Sequence, residues 1–455
     1  MNMAAVKERS SGFPIRGTSM SSEIVSSENP DAELYSIRDE AAMGPTTSSP
    51  KVLLVGYNGA NNTGSEARLL TIIDDVRAVL GEDTEITIPS LNEANLRRYI
   101  QESATLKIAP IPSIFFSAIR RLVKESDLVA LVEGSCYMDT WTSALLWAFL
   151  WATRCAHAMG KPCISYAVDA GSLSRLNRWL VKREASKTDL ILMRNKASAD
   201  LLKTLEVTAP VEVTADTAFD FNVDPADTGI LSRLWPGSDA GVVGLAPVDF
   251  YQWPVVIRPW GKAADCYDWP YYFSRSEKRR KAAEALARGL AAEADRIIER
   301  HSRRVALIGM EGLDAPICNM VLAQMAHPEA ARVFTSLDYN ASEMTSILRS
   351  LDMLVTSRYH AAVLSMAAGV PLVAVAHDRR LQHLFEEAGL LGSFVENTDP
   401  ELFGKISVNV DRLLADPDPA RRSIHESFYD QKARAGRNRD MLREFASNHG
   451  LRVAQ

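Results

Sequence analysis

Ser357, Arg358 and His360 stand together in VTSRYHAAVLSMAAGVPLVAV, Val355 to Val375, where one apolar run hands over to another. An arginine is permanently charged, and its planar fork matches a carboxylate or a phosphate. A histidine exchanges a proton near neutral pH. The helix expected just after them adds the positive end of its dipole. The chemistry within reach of this trio is anion binding coupled to proton transfer. A capping serine, a solvated arginine or a satisfied core histidine would explain any one of them alone. Three polar groups at one strand exit point to a site.

The same layout recurs. Asp127, Asp189 and Asp352 each open an apolar run, and the runs end in Glu133, in Arg194 with Asn195, and in Ser357. Taken alone, Arg194 reads equally as a surface arginine or as a second cation at the same cleft. The first apolar run, KVLLV, ends in GYNGANNTGSE. Gly56, Gly59 and Gly64 allow tight turns and close backbone approach. Asn61, Asn62 and Glu66 are the polar groups there that could meet sugar hydroxyls. The spacing is not GxGxxG. Gly59 and Gly64 match the glycines of GxxxxGK[ST], but Ser65 and Glu66 replace the lysine and the hydroxyl residue, and a carboxylate repels phosphate. A plain strand-to-helix turn is the competing reading.

Strands must position these groups. From Lys51, short apolar runs alternate with helical patterns: KVLLVG before SEARLLTIIDDVRAVLG, SDLVALVEG before TWTSALLWAFLWATRCAHAMG, TDLILMRNKAS before ADLLKTLEV. This alternation predicts parallel sheets covered on both faces. Ligands of such sheets bind beyond the carboxyl ends of the strands. The pattern pauses near 222–240 and restarts with AGVVGLAPV. The chain therefore divides into a disordered tail over 1–49, an α/β doubly wound domain over 50–225, a second over 226–400, and a charged helical segment over 401–455. An aromatic-rich insertion from Phe250 to Phe273 holds Tyr251, Trp253, Trp260, Tyr267, Trp269, Tyr271 and Tyr272, and it carries Arg258 as a further cation. Its rings suit sugar stacking or packing on their own domain. The runs RSEKRRK and HDRRLQHLFEEAG read as exposed helices.

The chain has 455 residues, more than one ordinary core organises, and its net charge of −6 argues against a broad nucleic-acid or anionic-membrane surface. Five cysteines without a CxxC pair argue against a zinc site or a disulfide framework and suit a reducing compartment. No apolar leader opens the sequence, so a cytoplasmic protein is expected. TSALLWAFLWA, Thr142 to Ala152, is too short to span a bilayer, which takes about 20 apolar residues. It reads as a buried helix and leaves open a peripheral contact with the inner membrane face.

Four stretches together resemble the polysaccharide pyruvyl transferase family: GYNGANNTGSE, LILMRNKAS with VTADTAF downstream, VIRPW, and SRYHAAVLSMAAGVPLVAV. The resemblance implies a fold like the GT-B glycosyltransferases, two Rossmann-like domains facing across a cleft. It implies transfer of pyruvate from phosphoenolpyruvate, a co-substrate, onto two hydroxyls of a free or lipid-linked glycan as a ketal; with no metal-ligand cluster evident in the sequence, no obligatory metal is expected. Exopolysaccharide or cell-envelope glycans are the expected acceptors. It associates Arg194 and His360, with Arg358 beside the histidine, with catalysis and donor binding; the strand exits and the insertion add Ser357 and Arg258 as donor-binding candidates and Asn61, Asn62, Glu66 and Glu133 as acceptor-binding ones. Asn195 stands where the family usually has an acidic residue, and Ser65 where it usually has aspartate. Two rivals follow. A nucleotide-sugar glycosyltransferase of the retaining type would carry glutamates where Ser357 and Ser365 stand. A glycan-binding scaffold without activity would account for Asn195 and Ser65.

Overall fold

The computed structural model describes residues 49–251, 255–263, 269–274, 276–376 and 379–454. The tail read over 1–49 lies, but for its last residue, outside the described residues, as do Trp253, Cys266 and Tyr267.

Two parallel sheets organise the chain. The first holds β1 (Lys51–Val55), β2 (Glu85–Ser90), β3 (Leu106–Pro110), β4 (Leu128–Leu131), β5 (Cys163–Val168), β6 (Leu190–Met193) and β7 (Val211–Val213), in the order β3-β2-β1-β4-β5-β6-β7. After β8 (Val242–Ala246) comes an antiparallel pair, β9 (Val255–Ile257) and β10 (Tyr271–Phe273). The second sheet adds β11 (Arg304–Gly309), β12 (Ala331–Thr335), β13 (Met353–Thr356), β14 (Leu372–Ala376) and β15 (Phe394–Glu396), in the order β12-β11-β8-β13-β14-β15. Both sheets are doubly wound. Their strand order reverses between β1 and β4, and again between β8 and β13. Ligand crevices form at such reversals.

The strands form because their apolar runs are buried on both faces. LVAL, CISYAV, LILM, MLVT and LVAVA are buried at every position, as the middle of a covered parallel sheet requires. The aspartates that open three of the runs act at the opposite edge from the site. Asp127 Oδ2 accepts the Lys51 amide at 3.0 Å, and Asp189 Oδ2 accepts the Cys163 amide at 2.9 Å, each capping a neighbouring strand. Asp352 pairs with Arg303 at 3.6 Å.

Helix starts are capped by side chains. Asn62 Oδ1 accepts the Ser65 amide at 3.1 Å to open the helix Thr63–Leu80. Thr142 caps Ser143–Ala158. That second helix holds the longest apolar run and buries Leu146, Phe149, Leu150 and Ala152 in the first lobe's core. Among the described residues, no helix is long and apolar enough to cross a membrane. The stretch 222–240 is not extended: Ile230, Leu231 and Trp235 pack into the second lobe's core. The last helix, Asp418–Asn448, joins both lobes. Ala420, Ile424, Phe428 and Ala435 belong to the second core, whereas Leu442, Phe445 and Ala446 belong to the first.

Candidate active site

The strand exits meet at a buried carboxylate, Asp216, just beyond β7. Arg194 Nη1 donates to its Oδ2 at 2.6 Å, and Arg68 Nε lies 3.2 Å from its Oδ1. Arg194 also grips Asp169, at 2.9 Å from Nε and 2.6 Å from Nη2. Asp169 is aimed there by a break in β5. The register shifts between Ser165 and Val168, and Ala167 takes φ 52°, a strained conformation outside glycine. Two guanidiniums and two carboxylates thus form a neutral buried cluster, each residue at most 3% exposed. Such a cluster holds geometry, because losing one member strands a charge in low dielectric. Gly134 makes room for it, since a Cβ there would lie 2.8 Å from Arg194 Nη1 and 2.9 Å from Arg68 Nη1.

The second lobe supplies a histidine. His360 sits in the first turn of the helix Tyr359–Met366, after β13. Its Nε2 is buried and stands 3.4 Å from Asp216 Oδ2, the same oxygen that Arg194 holds. That distance is long for a full hydrogen bond, and such contacts tighten when substrate closes the site. The ring leans on Gly64: a Cβ there would lie 2.1 Å from Nδ1. Tyr359 continues the contact between lobes, with the Arg194 guanidinium 4.6 Å from its ring centroid. Burial would raise the Asp216 carboxyl, but Arg68, Arg194 and His360 outweigh it and hold the group well below the usual carboxylate range. Burial pushes His360 down from 6.5, Asp216 pulls it up, and Arg194 and Arg68 push it down again; the net is a lowered imidazole, neutral at pH 7.

His360 opens onto a pocket between the lobes enclosing about 740 Å³, counted to its mouth. Asn62, Ser65, Glu133 and Ser135 line its first-lobe wall, and Ser357, Arg358, Tyr359 and Arg380 line the other. These residues follow β1, β4, β13 and β14, so the pocket spans both reversals of strand order. Glu133 is already engaged, accepting from the Tyr57 amide at 3.3 Å and from the Ser135 amide and hydroxyl at 3.2 Å. Arg358 is held from behind by its own lobe. Its Nε donates to Asp314 Oδ2 at 2.8 Å, its Nη2 reaches Asp314 Oδ1, and its Nη1 lies 2.9 Å from Glu311. Its side chain remains 16% exposed, so one edge of the fork faces the pocket.

Of the residues singled out in the sequence, the pocket gathers Asn62, Glu133, Ser357, Arg358 and His360. Arg194 lies behind it, joined to His360 through Asp216 and not lining the pocket. Asn61 and Glu66 face the junction of the lobes. Asn61 Oδ1 accepts from Arg98 at 3.0 Å, and its carbonyl accepts from Ser336 Oγ at 2.9 Å and the Gly312 amide at 3.0 Å. Glu66 accepts the Ala341 amide, and its burial pushes the carboxyl up to about 8. Arg258 stays on the β9–β10 pair, donating to the Phe273 carbonyl at 3.1 Å outside this pocket. Sequence reading missed Asp216, Asp169, Arg68 and Arg380, although both aspartates follow strands and obey the exit rule. Arg380 belongs to the helix read as exposed, yet it lines the pocket with its guanidinium 5.4 Å from the Trp141 ring. Among the described residues, no group of three His, Cys, Asp or Glu could hold a metal ion.

Solved structures share this architecture at low identity. The S. aureus MnaA–UDP co-structure aligns with TM-score 0.58 at 10% identity, covering 88% of this chain and 97% of that one. UDP-GlcNAc 2-epimerase from Neisseria meningitidis, bound to UDP-GlcNAc, aligns with TM-score 0.53 at 11% identity, covering 87% and 100%. Arabidopsis thaliana UGT89C1 complexed with UDP aligns with TM-score 0.52 at 12% identity, covering 89% and 100%. These likenesses show the fold: two Rossmann-like lobes of the GT-B type. No curated protein matches the chain by sequence. The family model for polysaccharide pyruvyl transferase matches residues 62–379, well over half of the chain and including every residue of the pocket and its buried support except Tyr57 and Arg380. The chain belongs to the polysaccharide pyruvyl transferase family.

Proposed function

We propose that this protein transfers the pyruvyl group of phosphoenolpyruvate to two hydroxyls of a glycan, forming a cyclic ketal and releasing phosphate. The observation that carries this reading is the chain Arg194–Asp216–His360, in which a carboxylate of the first lobe faces a histidine of the second at the edge of an arginine-bearing pocket.

Neutral His360 directs Nε2–H toward Asp216, which leaves the Nδ1 lone pair to take a proton from an acceptor hydroxyl. The imidazolium so formed is stabilised by Asp216 and gives that proton to the vinyl CH2 of the donor. The hydroxyl oxygen bonds to the neighbouring carbon, where positive charge develops. The C–O bond to phosphate then breaks, the second hydroxyl bonds to the same carbon, its proton passes to the departing phosphate, and the ring closes. One enol phosphate and one diol give one ketal and one phosphate, so atoms and charge balance without a further reagent. Arg358, Ser357 and Arg380 suit the donor's carboxylate and phosphate. Asn62, Ser65 and Glu133 suit the acceptor. Acid–base transfer by a placed histidine is worth about 10²–10⁴-fold, and holding both substrates in register supplies more. A donor made in the cytoplasm would place the reaction there.

The test is mass spectrometry of saccharide acceptors after incubation with phosphoenolpyruvate, alongside a phosphate assay. A gain of one pyruvate less one water, with matching phosphate release that is lost in His360→Ala, supports the reading. Transfer of a sugar from a nucleotide sugar instead would support the glycosyltransferase alternative.

A further inference from the structure

We infer that the cleft has a cationic arm that receives an anionic group of the acceptor glycan, a phosphate ester or a uronate carboxylate; this rests on the pyruvyl-transfer reading. The arm encloses about 1240 Å³, counted to its mouth, and joins the reaction pocket at Trp141 and Arg380, which line both. Arg178 enters it from the helix Arg175–Ala185 of the first lobe, and Arg379, Arg380 and His383 enter from the helix Arg379–Glu387 of the second. Ser172, Asn195 and Ser198 supply polar floor.

The balance of charge in the arm is positive. Asp169 is the acidic side chain that lines it, and Arg194, Asn195 and Ser198 already engage both its oxygens. Arg178 spends Nε on the Leu173 carbonyl at 3.2 Å, and neither Arg178 nor Arg379 forms an ion pair among the described residues. His383 Nδ1 faces Glu386 at 3.2 Å, which leaves Nε2 for a ligand. Arg178 and Arg379 are solvent-exposed guanidiniums on opposite walls of the cleft, where they attract anions and can bind them as forks. The donor has three carbons and one phosphate, small beside the reaction pocket of about 740 Å³. The arm beyond Arg380 is room for the larger partner, with the charge of that partner placed away from the two reacting hydroxyls.

The test is calorimetric binding to the full chain, without turnover, of three probes: a hexose 1-phosphate, a methyl hexuronide and the matching neutral methyl hexoside. A charged probe is expected to bind at least about tenfold tighter than the neutral one, with an advantage that salt erodes. Arg178→Ala and Arg379→Ala each remove most of that advantage, and the lysine variants restore part of it. The Kd for phosphoenolpyruvate stays where it was. The stronger of the two charged probes identifies the source of the anion. Equal binding of all three probes, no measurable binding of either charged probe, or a shift in phosphoenolpyruvate binding instead, overturns the inference. Because binding is read without turnover, a wild-type protein that binds the charged probe yet forms no ketal sinks the transfer reading separately.

Discussion

Gly64→Ala tests whether the position of His360 matters, without touching a charged group. A Cβ on Gly64 would lie 2.1 Å from His360 Nδ1, 2.2 Å from its Cγ and 2.6 Å from its Cβ. Carbon contacts settle at about 3.5–4.0 Å, so the ring must retreat by more than about 1 Å. It has little room, because the Tyr359 ring stands edge-on with centroids 5.1 Å apart and Nε2 already faces Asp216. A displacement of about 1 Å costs on the order of 10²-fold in rate. The fold bears a smaller cost: Gly64 has ordinary helical geometry that alanine can adopt, but the overlap with the His360 ring and Cβ is overpacking worth about 1–3 kcal/mol. The assay pairs phosphate release from phosphoenolpyruvate with a thermal melt. A roughly hundredfold loss of kcat is expected, with a Tm lowered by only a few degrees. A variant that melts normally and turns over at the wild-type rate refutes the placement of His360.

Asp216→Asn leaves two buried guanidiniums sharing one carboxylate, so stability should fall by about 3–5 kcal/mol and kcat by about 10²–10⁴-fold; a melt and a rate measurement check both. Because burial and the two arginines lower His360 from 6.5 while Asp216 opposes them, the acid limb of kcat/KM should lie below pH 6.5 in the wild type and lower still in this variant. A limb that moves up contradicts the assignment. Arg194→Lys should lower kcat while leaving KM for phosphoenolpyruvate nearly unchanged, because the side chain lies behind the pocket; a rise in KM alone would make it a donor ligand. Glu66, pushed up from 4.5 to about 8 by burial, holds a proton in the folded state that the unfolded chain has released across that window. Stability should therefore drop as pH rises from 4.5 to 8, by up to about 5 kcal/mol, and Glu66→Gln should flatten the trend in melts at the two ends.

The sheets were legible because their strands are buried on both faces, so LVAL, LILM and LVAVA read as continuous apolar runs. The pocket was legible as far as strand exits reveal it, which is why Ser357, Arg358, His360, Glu133 and Asn62 were found. What stayed hidden depends on strand order. Arg68 looks like any helix arginine until β1 and β5 are known to end near one another, and then it becomes one of the largest fully buried side chains. Asp216 gains its importance from Arg194, Arg68 and His360, three groups far apart in sequence. Glu66 and Asn61 sit in the glycine-rich loop and look like ligand groups, yet they bind the other lobe. That difference follows from how closely the lobes meet, which no local pattern encodes. Arg380 was misread because its helix is amphipathic and only its N-terminal half reaches the cleft.

The most direct measurement is to run the reaction in deuterated water and examine the methyl group of the product. The account requires the vinyl CH2 of phosphoenolpyruvate to gain a proton that passes from an acceptor hydroxyl through His360, and both exchange with solvent. A ketal whose methyl group carries one deuterium, formed with release of phosphate, is the predicted result. A glycan product with no pyruvyl ketal, or a ketal with an unlabelled methyl group, would contradict it.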